Sequence, residues 1–397
     1  MTSNAPPSAG TGRPAAQRLA GLDLLRGLAV AGMIVVNTPG SWSHVWWPLD
    51  HAEWHGWTPT DLVFPTFLFA MGVALGLSFP YRLDAADQRR RWWRVVRRSL
   101  ALIGLGLLIT AIAHRSLEGL RIPGVLQRIG VTYALAAAIG MLTARRGADG
   151  FARLNLPVVG VIGVAILIGY WAAMTLVPVP GFGAGRLDPD GNLAGWVDRA
   201  VLTTRHMWPG GTGASGTIVY DPEGLLSTLP ALVNVLIGMI VAALWRRDGE
   251  RSVGWIALGG LILFVAGMAM GQVFPINKKL WTSSFVLLTS GAAMLLLVLC
   301  IVIGRSARWS RLLAPFRMLG MNAILAYLLG DAIAIAADQI HVRGGGEAGS
   351  LHGVAYDALL RIVPDPLLAS HLYALLALVL IWAIVAPFDR RGIHLRL

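Results

Sequence analysis

The sequence has 397 residues, of which 14% are charged and 55% are hydrophobic, and its mean hydropathy is +0.63. Soluble domains carry about 25% charged residues, so this composition excludes a soluble protein and predicts an integral membrane protein. The net charge of +12 does not indicate a nucleic-acid partner, because the arginines lie between hydrophobic segments, as is typical of cytoplasmic loops.

Apolar segments near the ~20 residues needed to cross a bilayer as a helix recur along the whole sequence. We predict an all-α fold, a polytopic integral membrane helical bundle with about ten transmembrane helices. The predicted spans are residues 19–38, 59–79, 96–114, 122–143, 155–177, 223–244, 253–274, 281–303, 312–336 and 366–387.

Arginine-rich segments follow the second, fourth, sixth and eighth spans, at residues 82–98, 145–153, 246–251 and 305–317. The positive-inside rule places these segments and both termini in the cytoplasm of a multi-pass inner-membrane protein. The long loops that then face the periplasm are residues 39–58, 178–222 and 337–365. Residues 1–18 lack signal-peptide features and are predicted to be a disordered cytoplasmic tail, followed by a single transmembrane domain, residues 19–397.

The densest group of polar residues connects the first two spans. Asn37 ends the first span, His51 lies in the loop, and Asp61 begins the second span. Ionisable residues at a membrane boundary are costly and therefore indicate function. Histidine suits proton transfer near neutral pH, and neighbouring carboxylates can set its tautomer. A solvated loop that is rich in histidine is the alternative interpretation.

A metal site is a weaker hypothesis for the same loop. His51 and His55 have the spacing of one helical face, and Glu53 or Asp50 could complete a zinc site. The pattern is not H-E-x-x-H, however, and the single cysteine, Cys300, excludes a cysteine-based cluster and an intrachain disulfide. We therefore predict that no metal is bound.

Five tryptophans crowd this loop, and a flat aromatic ring suits the apolar face of a sugar. We predict that Trp54 contacts substrate, although tryptophan is also enriched at membrane interfaces because its ring is amphipathic.

Further charges stand out in later segments. Arg128 lies inside the fourth span, where a guanidinium needs an acidic partner such as Asp61 or the phosphate of a nucleotide. Lys278 and Lys279 are the only lysines in the chain, which suggests a need for a compact ammonium; interfacial anchoring is the alternative.

Glu223 follows Asp221 at the start of the sixth span, where Asp221 is best interpreted as a helix cap. Asn322 lies inside the ninth span and could line a polar cavity or join two helices by hydrogen bonds. On the predicted topology several of these residues lie toward the periplasmic half of the membrane, so we expect them to meet at one cavity: Asn37, His51, Asp61, Arg128, Glu223 and Lys278.

Seven segments resemble the transmembrane acetyltransferase family of heparan-α-glucosaminide N-acetyltransferase and its bacterial relatives. They occur in order over nearly the entire chain, which makes the resemblance specific. The segments are LDLLRG (22–27), VN (36–37), HAEWHGWTPTDLVFP (51–65), RIPGVLQR (121–128), DPEG (221–224), NKKLW (277–281) and GMNAIL (320–325).

The resemblance implies a transmembrane acyltransferase domain that moves the acetyl group of acetyl-CoA to the amine of glucosamine or a terminal glucosaminide. The family's catalytic histidine and its nearby asparagine match His51 and Asn37, and Asp61 and Arg128 fall in motif positions. We expect the protein to lack the long luminal domain of the lysosomal members, which favours free glucosamine or another amino sugar in a bacterium.

On this basis three groups of site residues are predicted. The catalytic residues are His51, Asn37 and Asp61. The residues predicted to bind acetyl-CoA are Arg128, Lys278, Lys279, Asn277 and Trp281. The residues predicted to bind the sugar are Trp54, Glu223 and Asn322.

His51 would act as a general base or as an acetyl carrier, with Asn37 or Lys278 stabilising the oxyanion. Two alternatives stay open at this point, an amino-sugar transporter and an O-acetyltransferase of an envelope glycan. The expected partners are acetyl-CoA, an amino sugar and the lipid bilayer, and the assembly is left open between a monomer and a homodimer.

Overall fold

The fold is seen in a computed structural model that describes residues 19–79, 81–82, 84–115, 117–342 and 349–393. The described part is mostly helical, which confirms the all-α prediction. The predicted tail, residues 1–18, lies outside it, and a single domain over residues 19–397 stays a prediction. The helices are α1 (Ala20–Asn37), α2 (Val63–Leu77), α3 (Ala85–His114), α4 (Val125–Leu142), α5 (Leu156–Leu176), α6 (Leu193–Leu202), α7 (Thr228–Asp248), α8 (Val253–Met270), α9 (Ser283–Gly304), α10 (Ala307–Leu312), α11 (Ala314–Met321), α12 (Ala323–Gln339), α13 (Leu351–Ile362) and α14 (Pro366–Arg390).

The strands of the described part are short and form one small antiparallel sheet. Its order is β1 (Tyr81–Arg82), β3 (Phe151–Arg153) and β2 (Arg145–Arg146). The sheet joins the connection between α2 and α3 to the connection between α4 and α5. It therefore lies at the end of the bundle that carries the arginine-rich loops.

Within the described residues, seven helical segments are long and apolar enough to cross a membrane, or eight if the bent pair α11 and α12 is one span. One of the seven, Thr228–Met270, contains both α7 and α8, which a short 3-10 turn separates. The multi-pass helical architecture is thus confirmed, whereas the number of ten spans stays a prediction.

Close packing of helix backbones fixes the centre of the bundle. A Cβ atom at Gly72 of α2 would lie 2.1 Å from the carbonyl oxygen of Val235, and one at Gly238 of α7 would lie 2.2 Å from that of Phe69. Only glycine fits at these two positions, as is typical of membrane helices that pack through small residues. Apolar side chains exposed on α3, α5, α8 and α14 form the outer, lipid-facing surface.

Two predicted loops contain helices of their own. The region 178–222 includes α6, and the region 337–365 includes α13. The ninth predicted span is also not one straight helix, because α11 and α12 meet at an angle of 89°. Asn322 lies at this break.

The alternating direction of the helices brings several of their ends together. The last residue of α1, the first turns of α2 and α4, and the loops that precede α7 and α9 all line one pocket. We call this side of the molecule the His51 end, and the side that carries the small sheet the opposite end.

Candidate active site

His51 lies between a carboxylate and an ammonium group. Its Nδ1 is 2.8 Å from Oδ1 of Asp61, and Nζ of Lys278 is 2.9 Å from Nδ1 and 3.2 Å from Nε2. Lys278 Nζ is also 3.4 Å from Asp61 Oδ1. Because an ionised carboxylate only accepts hydrogen bonds, a neutral His51 donates from Nδ1 to Asp61 and keeps Nε2 as its basic nitrogen.

The Asp61 carboxylate is fully buried and held by its own loop. Oδ2 accepts hydrogen bonds from the backbone N–H groups of Ala52, at 3.2 Å, and Thr58, at 3.0 Å. These bonds occupy one oxygen and aim the other at the imidazole. The short helical turn Pro59–Leu62, just before α2 begins, thus holds the Asp61 carboxylate in a fixed position beside His51.

A tight turn before α9 presents the two lysines. Asn277 Oδ1 accepts a hydrogen bond from the backbone N–H of Leu280, and the backbone N–H of Asn277 donates to the hydroxyl of Thr282. Trp281 has a φ of 53°, in the left-handed region, and this conformation reverses the chain. Burial lowers the pKa of the Lys278 ammonium, and the neighbouring Asp61 opposes that shift.

A second charged group faces His51 across the pocket. The Arg121 guanidinium binds both oxygens of Asp221, at 2.7 and 2.9 Å, and Oε2 of Glu223 at 2.6 Å. Burial lowers the pKa of Arg121, but the two carboxylates outweigh it and raise the pKa above its usual value. Asp221 also accepts a hydrogen bond from the backbone N–H of Trp208, at 2.8 Å.

These groups surround a pocket of about 200 Å³, which we call the His51 pocket. Its mouth is polar and its floor, toward the bundle, is apolar. The side chain of Asn37 is exposed to it at the end of α1. The lining residues are Met33, Val36, Asn37, His51, Ala52, Thr60, Val63, Phe64, Arg121, Val125, Trp208, Pro222, Glu223, Lys278 and Lys279.

The structure therefore brings together Asn37, His51, Glu223, Lys278 and Lys279, with Asp61 directly behind His51. Lys279 directs its ammonium outward, where Nζ donates to the backbone carbonyl of Glu53. The catalytic and binding roles of these residues stay predictions.

Arg128 is close to the pocket but does not line it. Its guanidinium bonds to the Ser227 hydroxyl at 2.5 Å and to the Gly224 carbonyl at 3.3 Å, and it lies 4.8 Å from the ring centre of Trp281. Among the described residues no ion pair joins Arg128 to Asp61, so this candidate partner is corrected. Asp61 instead uses its charge on His51 and Lys278.

Asn277 and Trp281 do not line the His51 pocket either. Both are fully buried, and Trp281 donates from Nε1 to Asn234 Oδ1 at 3.0 Å. Their contacts hold the lysine turn and the Arg128 side chain in place. Their contact with acetyl-CoA stays a prediction.

Asn322 and Trp54 are likewise not in the lining. Asn322 is fully buried at the α11–α12 break and contacts Asp389 near the end of α14. Trp54 donates to the carbonyl of Leu187 and packs its edge against Tyr220, outside the pocket. Trp208 lines the pocket instead, and the substrate-binding roles of Trp54 and Asn322 stay predictions.

The structure also corrects Asp221, which does not cap α7. The helix begins only at Thr228, and Asp221 is instead the partner of Arg121 and Trp208. The DPEG segment is thus an extended turn that holds a charged cluster.

The two histidines of the alternative zinc site have separate partners. His55 Nδ1 contacts Nδ2 of Asn277, whereas His51 contacts Asp61 and Lys278. In the part of the chain that the structure describes, no group of three or more His, Cys, Asp or Glu side chains is arranged to hold a metal ion.

A second cavity, of about 290 Å³, lies at the opposite end between α2, α3 and α4. Arg91, Arg94, Arg97 and Arg98 line it, and we call it the arginine pocket. The Arg98 guanidinium stacks over Tyr133, 4.7 Å from the ring centre. Its Nε is buried and has no hydrogen-bond partner among the described residues.

The sequence of this chain is similar to those of known proteins. The catalytic-domain profile of heparan-alpha-glucosaminide N-acetyltransferase matches residues 18–273, which is more than half of the chain. The chain belongs to this family. The human heparan-alpha-glucosaminide N-acetyltransferase is 33% identical over an alignment of 351 residues. The alignment covers 78% of this chain and 52% of the human protein. The mouse protein is 31% identical over 358 residues, or 80% of this chain and 54% of the mouse protein.

The chain thus spans about half the length of the heparan-alpha-glucosaminide N-acetyltransferases it matches. The family profile covers His51, Asp61 and the Arg121–Asp221–Glu223 cluster, but it ends before Lys278. Sequence reasoning missed Arg121 as a pocket residue and Trp208 altogether. The RIPGVLQR segment contains a signal for Arg121, whereas nothing around Trp208 distinguishes it from the other tryptophans of the loops.

Proposed function

We propose that this chain is an acetyl-CoA-dependent N-acetyltransferase that acetylates the amine of glucosamine or of a terminal glucosaminide. The observation that carries the proposal is the His51 imidazole, which a buried Asp61 orients at the edge of a pocket lined by amide, ammonium and carboxylate groups. Membership of the heparan-alpha-glucosaminide N-acetyltransferase family supports the same reaction.

His51 would remove a proton from the acceptor. An amine attacks a thioester only after its ammonium form has lost a proton, and an imidazole works well as a base near neutral pH. With Nδ1 committed to Asp61, Nε2 is available to take the proton. Asp61 would then stabilise the imidazolium that forms.

Asn37 and Lys278 are the candidates for stabilising the oxyanion of the tetrahedral intermediate. Both line the pocket, and each carries N–H groups that can donate to a developing negative charge. Two routes are compatible with these positions: direct attack of the amine on the thioester, or transfer through an acetyl group on His51.

The amino sugar would bind between Glu223 and Trp208. Glu223 uses Oε2 on Arg121 and faces the pocket, where a carboxylate suits the ammonium and hydroxyl groups of the acceptor. The Trp208 ring offers a flat apolar surface for one face of the sugar.

The arginine pocket suits the phosphates of acetyl-CoA. Guanidinium groups bind phosphate through paired N–H donors, and four arginines line this pocket. Helix α2 leads from Val63 at one pocket to Ser78 at the other, a rise of about 22 Å at 1.5 Å per residue. In this arrangement the nucleotide end binds at one end of the bundle and the acetyl group reaches His51 at the other.

The charge distribution supports the orientation in the membrane. Arginine-rich connections gather at the opposite end, which the positive-inside rule assigns to the cytoplasm. The His51 end would then face the periplasm of an inner-membrane protein.

The proposal is tested by CoA release from purified wild-type and His51→Ala protein in detergent, with acetyl-CoA and glucosamine. We expect sustained release by the wild type only when the amine is present, and a rate at least about 100-fold lower for His51→Ala. The Glu53→Gln variant, exposed in the same loop, is the matched control.

Glucose, tested beside glucosamine, distinguishes amine from hydroxyl acceptors. Turnover with glucose alone would favour an O-acetyltransferase. A wild-type protein that never releases CoA would overturn the proposal in favour of an amino-sugar transporter.

A further inference from the structure

The two lysines of the chain are adjacent but have different surroundings. Lys278 directs Nζ at His51 and Asp61, whereas Lys279 directs Nζ at the carbonyl of Glu53, near the rings of Trp54 and Tyr220. One amine therefore lies at the candidate catalytic base, and its neighbour in sequence points away from it.

Lys278 occupies the place that an acceptor amine needs. A nitrogen that His51 is to deprotonate must lie within hydrogen-bond reach of Nε2, and Lys278 Nζ is 3.2 Å from that atom. Reacting groups that are held about 3–3.5 Å apart behave as if at very high local concentration. An acetyl group delivered to His51 for the acceptor is thus also delivered to Lys278.

Burial favours the form of Lys278 that attack requires. Only a neutral amine is nucleophilic, and burial of Lys278 lowers its pKa, although the charge of Asp61 opposes this. The nearby His51 provides the base for the remaining proton.

We propose that Lys278 is a self-acetylation site, which reacts with the acetyl donor when no acceptor amine fills the His51 pocket. Nζ attacks the carbonyl carbon of the thioester, a C–N bond forms, the C–S bond breaks, and the sulfur leaves as a thiolate. The proton that Nζ loses passes to His51 and then to the thiolate, so CoA leaves as the free thiol. This inference rests on the proposed acetyltransferase function.

Acetylation of Lys278 would inactivate the protein. It removes the positive charge beside Asp61 and leaves an amide in the space needed by the acceptor amine. A bound amino sugar would protect the enzyme by occupying that space and by consuming the acetyl group. Lys278 would thus couple activity to the supply of acceptor.

Mass spectrometry tests the proposal on the full-length protein. Purified wild type is incubated with isotopically labelled acetyl-CoA without an acceptor and then digested with chymotrypsin. Cleavage after Phe264 and Trp281 yields a peptide that carries both lysines, because the bond between Phe274 and Pro275 resists chymotrypsin, and fragment ions assign the label to Lys278 or Lys279. Lys279 is the internal control, because chemical acetylation in solution does not need His51.

We expect Lys278 to acquire label at least about 10-fold faster than Lys279, as expected for an amine held at reacting distance. Glucosamine should suppress this labelling, and His51→Ala should bring the two rates together. Preincubation with acetyl-CoA alone should reduce later activity of the wild type. Lys278→Arg should show no label at position 278.

Equal labelling of the two lysines, or labelling of Lys278 that does not depend on His51, would overturn the inference. So would an unlabelled Lys278 in a preparation that acetylates glucosamine, and the proposed function would then survive alone. A preparation that acetylates neither glucosamine nor Lys278 would overturn both.

Discussion

The two pockets of this protein share helices α2 and α4 but differ in how their charges are balanced. In the His51 pocket three cations, Arg121, Lys278 and Lys279, are balanced by three carboxylates, Glu223 in the lining with Asp61 and Asp221 directly behind it. In the arginine pocket four guanidiniums gather, and no Asp or Glu is among the lining residues that the structure describes.

This difference indicates which ligand each pocket suits. Paired charges fix the geometry of side chains, and a fixed imidazole and carboxylate are what proton transfer requires. A concentration of positive charge in the lining instead attracts a polyanion such as a nucleotide with several phosphates. The predictions below separate the two pockets experimentally.

The largest effect is expected for Asp61→Asn. The amide cannot stabilise an imidazolium, and its NH2 group must face either the backbone N–H groups of Ala52 and Thr58 or Nδ1 of His51. We expect kcat/KM for glucosamine to fall by about 100- to 10,000-fold. Steady-state kinetics on a variant with a wild-type melting temperature checks this, and a loss below about 3-fold would remove Asp61 from the mechanism.

Arg94→Gln combined with Arg97→Gln should affect only the binding of ligand in the arginine pocket. Loss of two phosphate contacts, at about 1–2 kcal/mol each, should raise KM for acetyl-CoA by about 30- to 1,000-fold with little change in kcat. Acetyl-pantetheine, which lacks the nucleotide, should react equally with variant and wild type. The exposed pair Arg145 and Arg146, changed to Gln, is the control, and an unchanged KM in the Arg94/Arg97 variant would exclude this site.

Trp208→Ala tests the acceptor side. Removal of the ring should raise KM for glucosamine by about 3- to 10-fold, because a contact between flat surfaces contributes about 0.5–1.5 kcal/mol. KM for acetyl-CoA should not change. The KM of Trp208→Phe for glucosamine should lie between the values for wild type and Trp208→Ala. Trp42→Ala, at a residue that is 65% exposed, is the matched control. Equal shifts in both KM values would indicate a general disturbance instead.

The smallest effect concerns pH and Asp198, a buried carboxyl of α6 that accepts a hydrogen bond from the backbone N–H of Leu225. Burial raises the pKa of Asp198 from its usual value of 3.8 to about 7. The native state therefore binds more protons than the unfolded state between about pH 4 and pH 7, so this group's contribution to stability falls as pH rises through that window.

Asp198→Asn keeps an acceptor oxygen but cannot ionise. Its melting temperature relative to wild type should therefore increase from pH 5 to pH 7.5, as measured by thermal unfolding in detergent. The melting temperature of Asp357→Asn, at an exposed position of α13, should change with pH in the same way as that of wild type. A parallel profile for Asp198→Asn as well would show that the carboxyl does not titrate in this range.

The sequence predicts the helices well because lipid leaves an apolar segment no alternative to the helix. Each of the ten predicted ranges overlaps at least one observed helix. Helices α6 and α13 were missed because they are short and lie among Gly- and Pro-rich loops. Helix α7 starts later than predicted, because Asp221 and Glu223 bind Arg121 instead of joining the helix.

Site residues could be predicted only where a single ionisable side chain lies at a membrane boundary, where such residues are rare. His51 and Asp61 stand out in this way, and the structure joins them at 2.8 Å. The partnership of Arg121 with Asp221 links residues 100 positions apart, which no local pattern reveals. Trp208 could not be found for the same reason, since a backbone bond to Asp221 places it.

Sealed proteoliposomes test most directly whether one reaction joins the two pockets across the membrane. Acetyl-CoA is supplied outside, and glucosamine is either outside or trapped inside. We predict N-acetylglucosamine only when glucosamine is trapped inside, formed by the molecules whose arginine pocket faces outward, and recovery of the same-side reaction once detergent opens the vesicles. Product formed in sealed vesicles with both substrates outside would contradict the account.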